Sequence, residues 1–444
     1  MRRLKGHFGG LWKTATTALA CTAVVGTAGG AAAAAAPVPV PAPTLVSTPA
    51  LGSVSTPALG SVSTPALAPS SAARTGAPDG QQVGVPRRLP SSVDGGAWQS
   101  GHVQGMAIDR RKGFLYFSFT NLLVKTDLTG RPVGSVTGFT GHLGDLDFNA
   151  RDGRVYGSLE YKAAKSFYIA ILDGDRINRM GMDAQATGVV STVYLKEVVR
   201  DFTADMNGDG VFDGDTGNTP DHRYGCSGID GVAFGPEFGR KHGKQRLTVA
   251  YGVYANTART DNDHQVLLQY DIGRWRKYER PLTEAAPHTS GPARVGGKYF
   301  AYTGNTTYGV QNLEFDGYSG NWLLAAYKGT KPGFPNYTVF ALDGAKKPVR
   351  GPVRGQQRPE RGLLLPLLRG GLHDAPTGTY GWPAPGQYGQ YGQYGLVSLD
   401  DGRFYVTRSG TVQDGGVTKQ TATAVLNTWT GRTPSPFSPV VPAL

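Results

Sequence analysis

The run Asp205-Met206-Asn207-Gly208-Asp209-Gly210-Val211-Phe212-Asp213 has the chemistry of a cation loop. Asp205, Asn207, Asp209 and Asp213 offer side-chain oxygens at positions 1, 3, 5 and 9, Gly210 allows a sharp turn at position 6, and Val211 offers a backbone carbonyl at position 7. Ca²⁺ takes six to eight oxygens, and this spacing winds a short loop around one ion. Position 12 is Thr216 where a bidentate Glu would close the shell, so Asp215 or Asp221 is expected to take that place. The expected role of the ion is structural, stiffening a long loop.

A second set is spread along the chain. His102 and His142 stand 40 residues apart in matching contexts, and Gln104, Asp145, Asp230, Gln311 and Asn312 hold related positions farther on. Two imidazoles with carboxylates could hold a metal or act as general acid and base. The plainer expectation is a polar, water-filled channel whose side chains satisfy backbone groups. Cys226 is expected to be a small buried residue, since no base-bearing pattern surrounds it. The run GQYGQYGQYG at 386–395 places tyrosines in a flexible loop suited to stacking on sugars or a partner. No Walker loop, zinc spacing, HExxH or G-x-S-x-G element is present.

The scattered set needs a fold that gathers it. Shifted by 40 residues, 101–121 falls on 141–161: Gly101 on Gly141, His102 on His142, Arg111 on Arg151, Gly113 on Gly153, Tyr116 on Tyr156 and Ser118 on Ser158. Five segments read apolar-x-apolar and end in a turn residue: Met106 to Asp109, Leu146 to Asn149, Val232 to Gly235, Leu313 to Asp316 and Val397 to Asp400. Each precedes a second strand (114–119, 154–159, 246–254, 321–327, 403–408) and a third that closes on Asp or Asn (122–127, 167–173, 265–271, 337–343, 421–427). This order, repeated five times, predicts an all-β chain: a β-propeller of five or six four-stranded blades with long inter-blade loops. Inner strands after the second start 86, 81 and 84 residues on, and the strand-like runs at 189–199 and 296–307 leave room for a sixth blade. Two packed β-sandwiches are the alternative. At the level of blade pattern, over roughly residues 100–430, the chain resembles secreted six-bladed propellers of the NHL and SMP-30 type. The resemblance implies the fold; it carries over no catalytic or metal-binding residue.

The chain has 444 residues and a formal charge of +12. Its start, MRRLKGHFGGLWK followed by an Ala- and Gly-rich apolar run, reads as a secretory signal over 1–36. STPALGSV recurs at 47–54 and 55–62 within a Pro/Ser/Thr/Ala-rich linker at 37–88, expected to be disordered. The propeller is placed at 89–435 and a tail at 436–444. Without the leader one cysteine remains, so no internal disulfide is expected, and the basic residues are scattered without interleaved aromatics, which argues against nucleic-acid binding. A secreted monomer without a membrane span is expected. Two functions fit: a calcium-stabilised binding module for an extracellular glycan, peptide or cell-wall polymer, or a metal-dependent lactonase or phosphoesterase acting at the channel mouth. The sequence does not decide whether the chain is an enzyme.

Overall fold

The computed structural model describes residues 89–214, 221–252, 256–304, 307–356, 358–385 and 391–441. The signal and linker expected at 1–88 and the first half of the Tyr/Gly run lie outside the described residues.

Five antiparallel sheets form the blades of a ring. Blade one holds Val103–Asp109, Phe114–Phe119, Leu122–Asp127 and Pro132–Thr137, and blade two His142–Asn149, Arg154–Tyr161, Ser166–Leu172 and Val190–Tyr194. Blade three holds Val232–Gly235, Arg246–Tyr251, His264–Tyr270 and Gly297–Tyr302, extended outward by Arg361–Leu365 and Val349–Pro352. Blade four has Val310–Asp316, Asn321–Ala326 and Val339–Leu342, with isolated bridges from Val339 to Trp382 and from Leu342 to Leu367 beyond them.

The fifth blade closes the ring. Leu396–Ser398, Arg403–Asp414 and Val417–Trp429 come from the C-terminal end, and Ser92–Trp98 from the other end of the domain supplies their outer strand. Phe437–Pro439 pairs on the same strand beside it, so the segment expected to be a tail begins inside the sheet, with Phe437 buried. The runs reserved for a sixth blade are the fourth strands of blades two and three. The ring therefore has five blades, one fewer than the NHL and SMP-30 type.

The strand sequences follow from this packing. A blade has a neighbour on each face, so successive side chains enter different cores. Tyr116 joins the core between blades one and two, while Phe117 joins the one between blades five and one. Leu324 packs toward blade three and Leu323 toward blade five. Five core clusters thus fill five interfaces, and FLYFSF and NWLLAA are apolar at all but one position each because neither face meets water. Inner strands turn into second strands by one local device. The Gly113, Gly153 and Gly320 amides bond back to Asp109, Asn149 and Asp316 carbonyls at 2.7–2.8 Å, with each glycine at φ 71–72°.

Candidate functional site

An inner strand has a free backbone edge facing the axis, and carboxyl groups satisfy much of it. Asp145 Oδ1 accepts from Leu146 N at 2.9 Å, and its Oδ2 accepts from Val232 N at 2.9 Å and Leu313 N at 3.0 Å, tying blades two, three and four together. Asp147 Oδ2 accepts from Phe234 N at 2.6 Å, Glu314 Oε1 from Ser398 N at 3.1 Å, and Asn312 Nδ2 donates to Gln104 O at 2.8 Å. Asp145 and Asn312 are fully buried. Both were candidates for the site; the structure places them in the channel wall as inter-blade ties. Burial pushes the Asp145 carboxyl well above the usual carboxylate range in spite of its three donors.

The other five candidates meet at the mouth where the inner strands start, here the upper mouth. Register shifts lie at Gln104, at Gly144–Asp145 and at Gln311, and a bulge of this kind re-aims a side chain. His102 Nε2 takes hydrogen bonds from Tyr327 OH at 2.7 Å and from the Gln104 amide at 3.2 Å. An amide nitrogen only donates, so Nε2 is an acceptor and His102 is neutral. Burial, with His142 nearby, accordingly holds His102 below the ordinary histidine value. His142 Nδ1 lies 3.3 Å from Glu160 Oε1 and 3.7 Å from Asp230 Oδ1, and Gln311 Nε2 donates to Asp230 Oδ2 at 3.2 Å.

The two imidazoles carry opposite biases. Burial would push His142 down, but its bond to Glu160 and the charges of Asp230 and Glu160 hold it above its ordinary value. Glu160 is buried too, yet Lys162 at 3.1 Å, His142 and the Ile229 amide at 3.0 Å keep its carboxyl below its usual range. Burial and the Glu160 charge raise Asp230 to about 7. Gly228 makes room for this cluster: at φ 136° it lies against Glu160, where a Cβ would meet Oε2 at 2.0 Å.

Sequence reasoning missed half of this mouth. Glu160, Lys162 and Tyr327 sit at or just beyond the ends of second strands, and Glu160 is the register partner of His142. A hairpin places the end of its second strand beside the start of its first, which is the signal that would have found them. Tyr394, from the Tyr/Gly run, lies with its ring 5.6 Å from His102 and 5.4 Å from Tyr327, and Tyr308 stands 5.8 Å from Tyr327. All five blades contribute: His102 and Gln104, His142 and Glu160, Asp230, Tyr327 and Gln311, and Tyr394.

At the opposite end, where the inner strands finish, the channel opens into a cavity of about 1520 Å³. Asp147 and Glu314 line its floor, Phe148, Phe234 and Phe315 its wall, and Arg111 and Arg151 its rim. The chemistry expected of the channel and this cavity thus lie at different ends, and the upper mouth is the better candidate site on the convergence of its polar and aromatic groups.

In the 205–213 loop, Asp205 accepts from Gly208 N at 2.7 Å and Gly210 N at 2.9 Å, Asn207 Nδ2 donates to Asp209 Oδ2 at 3.0 Å, and Val211 N donates to Asp209 Oδ1. Asp213 N donates to Asp221 Oδ2 at 3.0 Å, which brings Asp221 to the end of the loop that Thr216 leaves open. Among the described residues, no group of three or more His, Cys, Asp or Glu side chains is gathered to hold a metal ion. Cys226 is fully buried, and burial pushes its thiol up, as an inert core residue requires.

These features define a class, the five-bladed β-propeller with a polar channel. No protein-family model matches the sequence, and no curated protein matches it. Among solved structures the chain is similar to the Dos1 propeller (11% identity, TM-score 0.28, 73% of this chain and 82% of that one). It is also similar to the hydrazine synthase of Kuenenia stuttgartiensis (10% identity, TM-score 0.30, 68% and 60%) and to a protein of unknown function from Bacteroides caccae (8% identity, TM-score 0.27, 61% and 88%). Likeness this distant carries no function.

Proposed function

We propose that the protein is a secreted binding module that takes a glycan at the upper mouth. The observation that carries this reading is the meeting of groups from all five blades, tyrosines on one side and hydrogen-bonding groups on the other. Sugars are amphipathic in the same way. Their C–H faces pack on Tyr308, Tyr327 and Tyr394, and their hydroxyls bond to neutral His102, Gln311 and the His142–Glu160–Asp230 cluster. The basic, apolar start of the chain and its Pro-rich linker support secretion and a spacer between cell surface and propeller.

The reading includes Ca²⁺ in the 205–213 loop. Asp205 already winds the loop through two glycine amides, and Asp205, Asp209 and Asp213, the Asn207 amide oxygen, the Val211 carbonyl and Asp221 are all oxygen donors of the kind Ca²⁺ takes. Bound ion would stiffen the loop. Adding CaCl₂ to the EDTA-treated protein is expected to raise its melting temperature, and an Asp205→Asn, Asp209→Asn double variant to lose that rise.

The test of function is a glycan array together with cell-wall pulldown in CaCl₂. Binding that Tyr327→Ala abolishes supports the proposal; empty results in both, with a folded protein, would sink it. Metal-dependent hydrolysis at the same mouth fits the residues less well. Lys162 Nζ, 3.1 Å from Glu160, stands where a metal beside that carboxylate would have to sit.

A further inference from the structure

The lower mouth has chemistry of its own, and the glycan reading does not use it. Its acidic floor follows from the repeat. In blades two and four the middle residue of the apolar-x-apolar motif is acidic, Asp147 and Glu314, and both line the cavity. Asp147 uses both oxygens on backbone amides, Phe148 N and Phe234 N, each at 2.6 Å. Glu314 is different. It is 7% exposed, Oε1 accepts from Ser398 N, and among the described residues no hydrogen bond reaches Oε2. A side chain more than nine-tenths buried thus presents one carboxyl oxygen without a partner at a cavity of about 1520 Å³. Burial first, and then the charge of Asp147, push Glu314 well above its usual range, the mark of a group short of a counter-charge.

We propose that the lower mouth binds a small organic ammonium ion, its head on the Glu314–Asp147 floor and its hydrocarbon body against Phe148, Phe234 and Phe315. A divalent metal is the poorer occupant. Ca²⁺ needs six to eight oxygens, and the bonds to Phe148, Phe234 and Ser398 already use three of the floor's four. An ammonium needs only three acceptors, which Glu314 Oε2 and the second lone pairs of the floor's other oxygens offer, and it gains from aromatic faces around it. The three phenylalanines are the second apolar positions of successive inner strands, so the repeat that makes the cores also rings this cavity with aromatic carbon. The rim narrows the class further. Arg111 and Arg151 are exposed and, among the described residues, in no ion pair, so they repel a second cationic end and attract an anionic one. An ω-amino carboxylate is therefore favoured over a polyamine.

The experiment is isothermal titration of the purified protein with hexylamine, 6-aminohexanoate and hexanoate. Hexylamine and 6-aminohexanoate are expected to bind and hexanoate not to. Glu314→Gln keeps an acceptor for Ser398 N but cannot ionise to meet a cation; it is expected to weaken both amines by about tenfold or more. Arg151→Ala, at an exposed rim position, is expected to weaken 6-aminohexanoate alone, and Tyr327→Ala at the other mouth to leave all three titrations unchanged. No binding at about 10 mM hexylamine, equal binding of hexanoate, or full affinity in Glu314→Gln would overturn the proposal. Should Glu314→Gln fail to fold, Phe148→Leu answers instead: it removes a ring face and keeps bulk, and unchanged hexylamine affinity would count against the site.

Discussion

The two mouths of this channel are made by the same five inner strands and differ in how their charges are compensated. At the upper mouth the charged groups are paired with opposite sign, His142 with Glu160 and Asp230 and Lys162 with Glu160, and His102 is held neutral. At the lower mouth the floor is carboxyl on carboxyl, with Asp147 raised to about 7 by burial and the charge of Asp400, and Glu314 raised well above its usual range by burial and the charge of Asp147. The difference comes from which residues the strands place at their two ends. Second strands return to the upper mouth carrying Glu160, Lys162 and Tyr327, which meet the histidines of the inner strands. The lower mouth is finished by tight Asp/Asn–Gly turns that keep their carboxylates for their own amides. Paired charges suit hydrogen bonding to a neutral ligand, and unpaired buried acid suits a cation.

The wall between the mouths carries the largest expected effect. Asp145→Ala strands three buried amides on three blades, each worth about 1–3 kcal/mol when left unsatisfied. Chemical denaturation should therefore show a loss of at least about 3 kcal/mol, or failure to fold. His142→Ala, at a half-buried position of the upper mouth, should cost far less. A similar small cost for both would mean that the ring is held by its five apolar cores and that the axial carboxyls are incidental to it.

The blades were legible because their signal is local. Each inner strand, its partner and the Asp/Asn–Gly turn between them are set by alternation and turn chemistry, and all five inner and all five second strands stand where the pattern puts them. Blade number was not legible. The runs at 189–199 and 296–307 alternate as strands do, and only pairing shows that Val190–Tyr194 and Gly297–Tyr302 are the fourth strands of blades two and three. Closure is equally non-local: nothing in SVDGGAW says that it completes a sheet whose other strands lie some 300 residues away. At the site, His102, His142, Asp230, Gln104 and Gln311 were found by counting from strand ends. Glu160 and Tyr327 were missed because that count followed inner strands alone. The acids inside the motif, Asp147 and Glu314, read as plain alternation, yet they bond to neighbouring inner strands and line the lower cavity.

Tyr327→Ala sharpens the contrast at intermediate size. It removes a ring that meets His102, Tyr308 and Tyr394 and the hydroxyl bonded to His102. Glycan affinity is expected to fall by about tenfold, from a loss of ~1.4 kcal/mol, with little change in melting temperature because the residue is half-buried at the mouth. Loss of fold along with affinity would recast the tyrosines as structural. His102→Phe separates the polar share: it keeps the aromatic contact and removes the Nε2 acceptor, so affinity should fall less than in Tyr327→Ala.

The smallest effect is on stability against pH, and its sign follows from the direction of each shift. Glu314 and Asp147 have native values raised above their unfolded ones, so the folded chain holds their protons more tightly. Their contribution is full below the unfolded carboxylate range of about 4 and is lost as pH rises toward the native value, about 7 for Asp147. His142, also raised, adds stability below the ordinary histidine value of about 6.5 and loses it as pH rises through its native value, in the same direction. Glu160, lowered, runs the other way and is lost only as pH falls below its usual range. Melting temperature should therefore decline from pH 5 to pH 8. Glu314→Gln should flatten the part owed to the lower mouth, and His142→Ala the part centred near neutrality, by separate amounts that add, because the two residues share no hydrogen-bond partner. A decline that neither variant alters would assign it to the other raised acids, Asp145 in the wall and Asp230, and the distinction between paired and unpaired charge at the two mouths would lose its energetic meaning.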